Sequence, residues 1–434
     1  MLISKVAGAR RLAIPLAVTA ALALGACGGG SDSKSSSDTA SDPSKFSINL
    51  DDCNDPEAVT APIKGTFDIG YSAPLSGPVA GAVELAAAGY DARIAAENAK
   101  GGVDGVKIKV TYKDDAYQPD KAKANGVEFI ESVKVDALAT FGTGPLSAMV
   151  DDQNAACVPM LYPSTSTADY EDIEQFPWTT TILPMAKNEA KFLVGLIKDR
   201  YPEGVKVGIA ENATASGKVQ SEAFQAAAKA ADLKIDKIVQ DSDPVAAATT
   251  LKGADIEVVY HGGVTGTCGA FDTARGRVGY QPKLVLKPTN CVNAVEYIAA
   301  GKAADGIELG TFGKDPMAPE NKDDAAVKEY LSQLKAAKVS EEVAGNAVTV
   351  SGWTQADLVI NTLKQAAASK DGLTRLSVME AARDQDYDAP MMIDGVKWYS
   401  TPELLTGIDG FGTIKWVADE KRFVPSGDVI SIRP

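Results

Sequence analysis

Ile69-Gly70-Tyr71-Ser72-Ala73-Pro74-Leu75-Ser76-Gly77-Pro78 is an apolar run that stops at a Pro, Ser and Gly-rich turn, and an Ala-rich helical pattern over residues 80–98 follows it. A short run of this kind followed by a helix predicts the first strand–turn–helix unit of a parallel sheet. The unit repeats. Strands are expected at 67–71, 106–112, 135–141 and 158–162, with helices at 80–98, 120–132 and 145–156 between them. The rhythm then restarts, with helices at 188–200, 216–232 and 245–252 and strands at 205–210, 233–239, 256–260 and 284–287. Past residue 311 the pattern loses strands. Helices are expected at 322–338, 349–368 and 376–384, and strands return only near 412–417 and 423–430. The fold class is therefore α/β, with two parallel-sheet lobes joined by a multi-strand hinge that the chain crosses several times.

The ends bound the compartment. Lys5, Arg10 and Arg11 precede a 13-residue apolar stretch over 12–24, which has signal-peptide length and falls short of the roughly 20 residues a membrane span needs. It closes on Leu24-Gly25-Ala26-Cys27, which resembles a lipobox and implies lipidation at Cys27. Residues 28–45 carry no large apolar side chain and read as a tether. The expected organisation is a signal peptide at 1–26, tether and extension at 27–62, lobe one at 63–183 and lobe two at 184–312. A helical return to lobe one at 313–405 and a final segment to lobe two and the hinge at 406–434 complete it.

Composition excludes several functions. The formal charge is −15, and removing residues 1–26 takes three basic residues and no acidic one, which carries it to −18. That balance excludes nucleic acid and an anionic membrane surface as partners. His261 is the single histidine, so multi-histidine metal sites lack their parts and a Ser-His-Asp or Cys-His arrangement would have only this residue to use. No cofactor or metal is expected. Besides Cys27 there are Cys53, Cys157, Cys268 and Cys291, an even set that allows three pairings in an exported chain. Cys268 and Cys291 both follow lobe-two strands, and Cys53 and Cys157 precede the first and fourth strands, so Cys53–Cys157 and Cys268–Cys291 are expected.

Three stretches carry a resemblance to the type I periplasmic binding proteins of the branched-chain amino acid (Leu/Ile/Val) group, which serve ABC importers. They are residues 69–78, residues 96–119 from Ala96-Glu97-Asn98 to Tyr117-Gln118-Pro119, and Val158-Pro159-Met160-Leu161-Tyr162-Pro163-Ser164-Thr165-Ser166, with Val258-Val259-Tyr260-His261-Gly262-Gly263 beyond them. The resemblance implies a monomer anchored by lipid to the outer face of the cytoplasmic membrane. It would bind a small molecule between its lobes, catalyse nothing and dock on permease subunits. A ligand-binding sensor feeding a membrane signalling partner is the alternative.

It also implies a ligand site. In open parallel sheets, ligands lie beyond the carboxyl ends of the strands. The first-lobe grip falls on Thr143 or Ser147 and on the loop Ser164, Thr165 and Ser166, with Ser164 acting mainly through its backbone. The second lobe departs from the family pattern. Ser216 and Val264 stand where aromatics are usual, Thr289 and Asn290 stand where an acid would meet an ammonium, and Ala82 replaces another aromatic. Glu211 is the one acid that could replace it by another route. The expected ligand is amino acid-like, an amide or a carboxylic acid.

Overall fold

The computed structural model describes residues 47–433. In the first lobe, strands β1 (Thr66–Ala73), β2 (Lys107–Asp114) and β3 (Ala137–Thr140) form a parallel sheet in the order β2-β1-β3. The four residues of β3 are all buried, as expected for a strand covered on both faces. The strand expected at 158–162 is reduced to single bridges, Met160 pairing with Leu138 and with Thr179. Pro159 and Pro163 have no N–H to donate, and Tyr162 turns the chain at φ 52°.

The second lobe is built on an eight-stranded sheet. Its parallel part comprises β4 (Val207–Glu211), β5 (Ile235–Gln240), β6 (Val258–Gly262), β7 (Leu284–Lys287) and β8 (Glu308–Thr311), in the order β8-β7-β6-β4-β5. Strand β8 escapes sequence reading because it opens on Glu308, a buried carboxylate held by Arg200 through two 2.9 Å hydrogen bonds.

The chain beyond 311 is not strand-free. Strands β9 (Gln385–Tyr387), β10 (Trp398–Thr401) and β11 (Leu404–Ile408) form a small antiparallel sheet. They were hidden because they are short and bury polar residues such as Gln385 and Ser400. Strand β12 (Gly410–Val417) then joins β8 antiparallel, and β13 (Arg422–Pro425) and β14 (Ile430–Ser431) pair with β12.

One core unites residues from Cys53 to Met185 with Phe312 and with the stretch from Ala356 to Ile408. Another unites Ala190 to Leu286 with Phe411. The chain thus passes between cores three times. Helix Ala347–Ala367 lies against helix Ala80–Ala99 through facing glycines. A Cβ on Gly352 would sit 1.9 Å from the Ala86 carbonyl oxygen, and one on Gly89 2.0 Å from that of Thr349. Arg93, buried between Asp357 (2.7 Å) and Glu97 (3.0 Å), locks the same pair. This contact sets the position of Val350, Ser351 and Gln355, which face the space between the lobes. Disulfides join Cys53 to Cys157 and Cys268 to Cys291, with Cα separations of 5.5 and 5.6 Å. The second ties the loops that follow β6 and β7.

Candidate ligand-binding cleft

A cleft of about 760 Å³ lies between the lobes, lined from one side by Ser164, Thr165 and Ser166 and from the other by Ser216, Gln220, Val264, Thr289 and Asn290. It opens at the carboxyl ends of the strands, where turns replace sheet pairing and leave polar groups free to meet a ligand.

On the first-lobe side, Gly142 makes the close approach feasible. Its φ is 98°, and a Cβ there would meet the Tyr117 ring at 2.4 Å. Ser164 is fixed by its backbone: its N–H donates to the Thr140 carbonyl and its carbonyl accepts from the Gly142 N–H, both at 3.0 Å. Pairing therefore takes the N–H and one lone pair of the carbonyl, which leaves only the second lone pair for the expected backbone role, and the side chain of Ser164 lies within reach of the Tyr71 hydroxyl. Ser166 is 5 % exposed, with its carbonyl accepting from Ala186 N–H at 2.7 Å. Thr165 is turned inward, its hydroxyl 2.9 Å from that of Thr143.

Neither Thr143 nor Ser147 is among the residues lining the cleft. The Ser147 hydroxyl pairs with the Tyr170 hydroxyl at 3.0 Å, which takes it away from a ligand. Thr143 instead meets the opposite lobe, since Ser216 Oγ lies 3.1 Å from its hydroxyl and 3.4 Å from its N–H. Ser216 also reaches the Tyr117 hydroxyl at 3.2 Å. Where an aromatic is usual, Ser216 forms a latch between lobes.

On the second-lobe side the polar groups form an ordered chain. The Gly263 carbonyl, which only accepts, takes a bond from Asn290 Nδ2 at 3.2 Å; Asn290 Oδ1 then faces Gln220, whose Nε2 donates at 3.3 Å. That order leaves Gln220 Oε1 as a buried acceptor with no partner among the described residues. Gln220 escaped the sequence reading. The available signal was its place four residues after Ser216 on helix Ala215–Ala230, which puts both on one face. Tyr117 and Thr265, which line the cleft, were missed as well.

Behind this neutral wall lies charge. Lys287, fully buried, stands 2.9 Å from Asp272 and 2.6 Å from His261 Nδ1. An ammonium only donates, so Nδ1 accepts and the ring proton lies on Nε2, donating to Asp241 at 2.7 Å. Burial first, and the Lys287 charge second, hold His261 below its usual range. Glu189, also buried, accepts the Thr289 N–H at 2.5 Å, and burial pushes its carboxyl up to about 7. Glu211 is not a cleft-lining residue; it pairs with Gln240, so the second route to an acid is not supplied. Ala82 and Trp178 are buried away from the cleft lining.

Residues 66–420 match the model of the periplasmic binding protein family. The chain belongs to that family. Among relatives of this periplasmic binding protein is a Leu/Ile/Val-binding protein homolog from Brucella melitensis, 26% identical over 320 residues that cover 70% of this chain and 80% of that one. Among solved structures, the fold matches a branched-chain amino acid ABC transporter protein from Thermus thermophilus with bound valine. The TM-score is 0.75 and the identity 18%, over 84% of this chain and 96% of that one. A solute-binding protein from R. palustris in complex with benzoate matches at TM-score 0.70 and 18% identity, over 85% and 98% of the two chains. A fatty acid ABC transporter substrate-binding protein from Thermomonospora curvata matches at 0.69 and 17%, over 85% and 93%. At these identities the structures speak for the fold. The periplasmic binding protein has, among its described residues, no helix long and apolar enough to cross a membrane.

Proposed function

We propose that this protein captures a small carboxylate or amide by closing its lobes, without chemical turnover, and delivers it to the permease of an ABC importer. The observation that carries the reading is the composition of the cleft near the strand ends. Ser164 and Ser166 line one side and Gln220 and Asn290 the other, with the nearby charges of Lys287, Asp272 and Glu189 outside the lining. Such a wall offers hydroxyl donors to a carboxylate or carbonyl and an unpartnered acceptor, Gln220 Oε1, to an amide N–H, and none of these residues carries a full countercharge for an α-ammonium. The ligands named for the relatives agree with this, since valine, benzoate and fatty acids share the carboxylate and not the amine. Closure brings Ser216 onto Thr143 and Tyr117, so the closed state is distinct from the open one at a surface a permease could read. The chain works as an exported monomer tethered through lipid on Cys27, a residue outside those the structure describes.

One experiment with two readings tests this. The full chain and a Cys27→Ala variant are expressed side by side and fractionated; the variant should leave the membrane fraction, and retention there would refute the anchor. Both are then melted with leucine, 4-methylpentanoate and 4-methylpentanamide. A ligand at 100 times its Kd adds about 2.7 kcal/mol of stability. At least one amine-free compound should raise the midpoint as much as leucine does. Stabilisation confined to free α-amino acids would refute the ligand assignment.

A further inference from the structure

The cleft is larger than a polar head group needs. Its volume of about 760 Å³ lies in the upper part of the roughly 300–1,000 Å³ range of small-molecule pockets. Its character also changes along its length, from the polar wall at Ser166, Gln220 and Asn290 to an apolar one beyond Val292. Val295 and Ile298, three residues apart on the short helix Ala294–Ile298, share a face and are 54% and 49% exposed, while Tyr297 beside them is fully buried. Met317, on the crossover between lobes, is 59% exposed and lines the same space, as do Val348 and Val350 of the first-lobe helix.

Single exposed apolar residues need no explanation; several lining one cavity that is continuous with a head-group site do. Most charges bordering this part are paired locally: Lys314 with Asp324 at 2.9 Å and Asp394 at 3.4 Å, Asp315 with the Met317 N–H at 2.8 Å, and Arg422 Nε with Glu420 at 2.7 Å, while Arg422 Nη1 has no partner among the described residues. Glu341 and Glu342 stand exposed at the rim, where water reaches them.

We propose that the ligand is elongated, with an alkyl chain running from the polar head site along Val295, Ile298 and Met317. The inference rests on the carboxylate-or-amide reading of the head. It is tested by calorimetry on the full chain and a Val295→Ser/Ile298→Ser double variant. Two series are used: butanoate, hexanoate and octanoate, and the 2-amino acids of the same lengths.

Burial of each methylene should tighten binding about fourfold. The double variant should lose at least tenfold on octanoate and leave butanoate unchanged. Both exchanged residues are half-exposed, so the fold is expected to survive. Equal affinity for butanoate and octanoate overturns the extension and leaves the head reading standing. An undiminished slope in the double variant also overturns it. A fourfold climb seen only in the 2-amino series, and lost in the variant, supports the extension and refutes the amine-free head. Absence of binding in both series overturns both.

Discussion

The two faces of the cleft are stabilised by different physics. On the first-lobe face, Ser164 is held by main-chain pairing and Thr165 by a hydroxyl contact, groups that cost little to bury once paired. On the second-lobe face the loops carrying Gly263, Val264, Thr289 and Asn290 rest on a buried ionic array. It runs from Asp241 through His261 and Lys287 to Asp272 and Arg275. The Cys268–Cys291 disulfide clamps it, both sulfurs lying about 3 Å from where a Gly263 Cβ would be. A neutral recognition surface therefore does not mean a neutral lobe. The charges there are buried behind the loops and are not among the residues lining the cleft.

The contrast predicts graded losses. Lys287→Met should be the most damaging, because it leaves buried Asp272 and the Cys268 carbonyl short of a partner; the expected cost is about 3–5 kcal/mol in denaturant unfolding. A loss under 1 kcal/mol would mean that the ionic array supports nothing.

Glu189→Gln separates charge from hydrogen bonding at the base of Thr289. The native carboxyl titrates near 7, raised by burial, whereas in the unfolded chain it returns to the ordinary range near 4.3. Between those values the folded state retains a proton that the unfolded state has lost, so this group's contribution to stability falls as pH rises across the window and is level above it. A glutamine keeps an acceptor for the Thr289 N–H and cannot ionise. The variant should therefore be more stable than the parent at pH 8, by on the order of 3–4 kcal/mol, and similar to it at pH 4.5. Parallel pH profiles for the two proteins would contradict this.

The smallest effect is expected on the other face. Thr165→Val removes the hydroxyl contact to Thr143 and a long 3.4 Å bond from the Thr167 N–H while Thr143 keeps its bond to Ser216, and should cost about 1 kcal/mol. A loss as large as that of Lys287→Met would erase the distinction between the faces.

Much of this architecture was legible in the chain. The alternation of apolar runs with Ala-rich helices places β1 to β7 and most of the long helices within a few residues. Periodicity sees a strand when its residues are apolar and its N–H groups are free. It missed β8, where Glu308 is buried by an ion pair, and β9 to β11, which bury glutamine and serine. It overcounted at 158–162, where two prolines and Tyr162 at φ 52° interrupt the pairing.

The candidate site divides the same way. Residue type and loop position brought Ser164, Ser166, Ser216, Thr289 and Asn290 into view, because small polar residues after parallel strands collect at one edge of a sheet. Direction could not be read. Thr143 and Ser147 were both expected in the grip and share one helix, yet the Ser147 hydroxyl turns to Tyr170 and that of Thr143 to Ser216. The unpartnered oxygen of Gln220 follows only from a hydrogen-bond order that begins at the Gly263 carbonyl. The sequence by itself determined the α/β layering, the spacing of the cysteines and the limit of one histidine, since these depend on residue type and local period. Which hydroxyls face the cleft, and that the lobe-two charges stay behind its wall, only the tertiary structure decided. Both depend on which partner each side chain meets from a distant part of the chain.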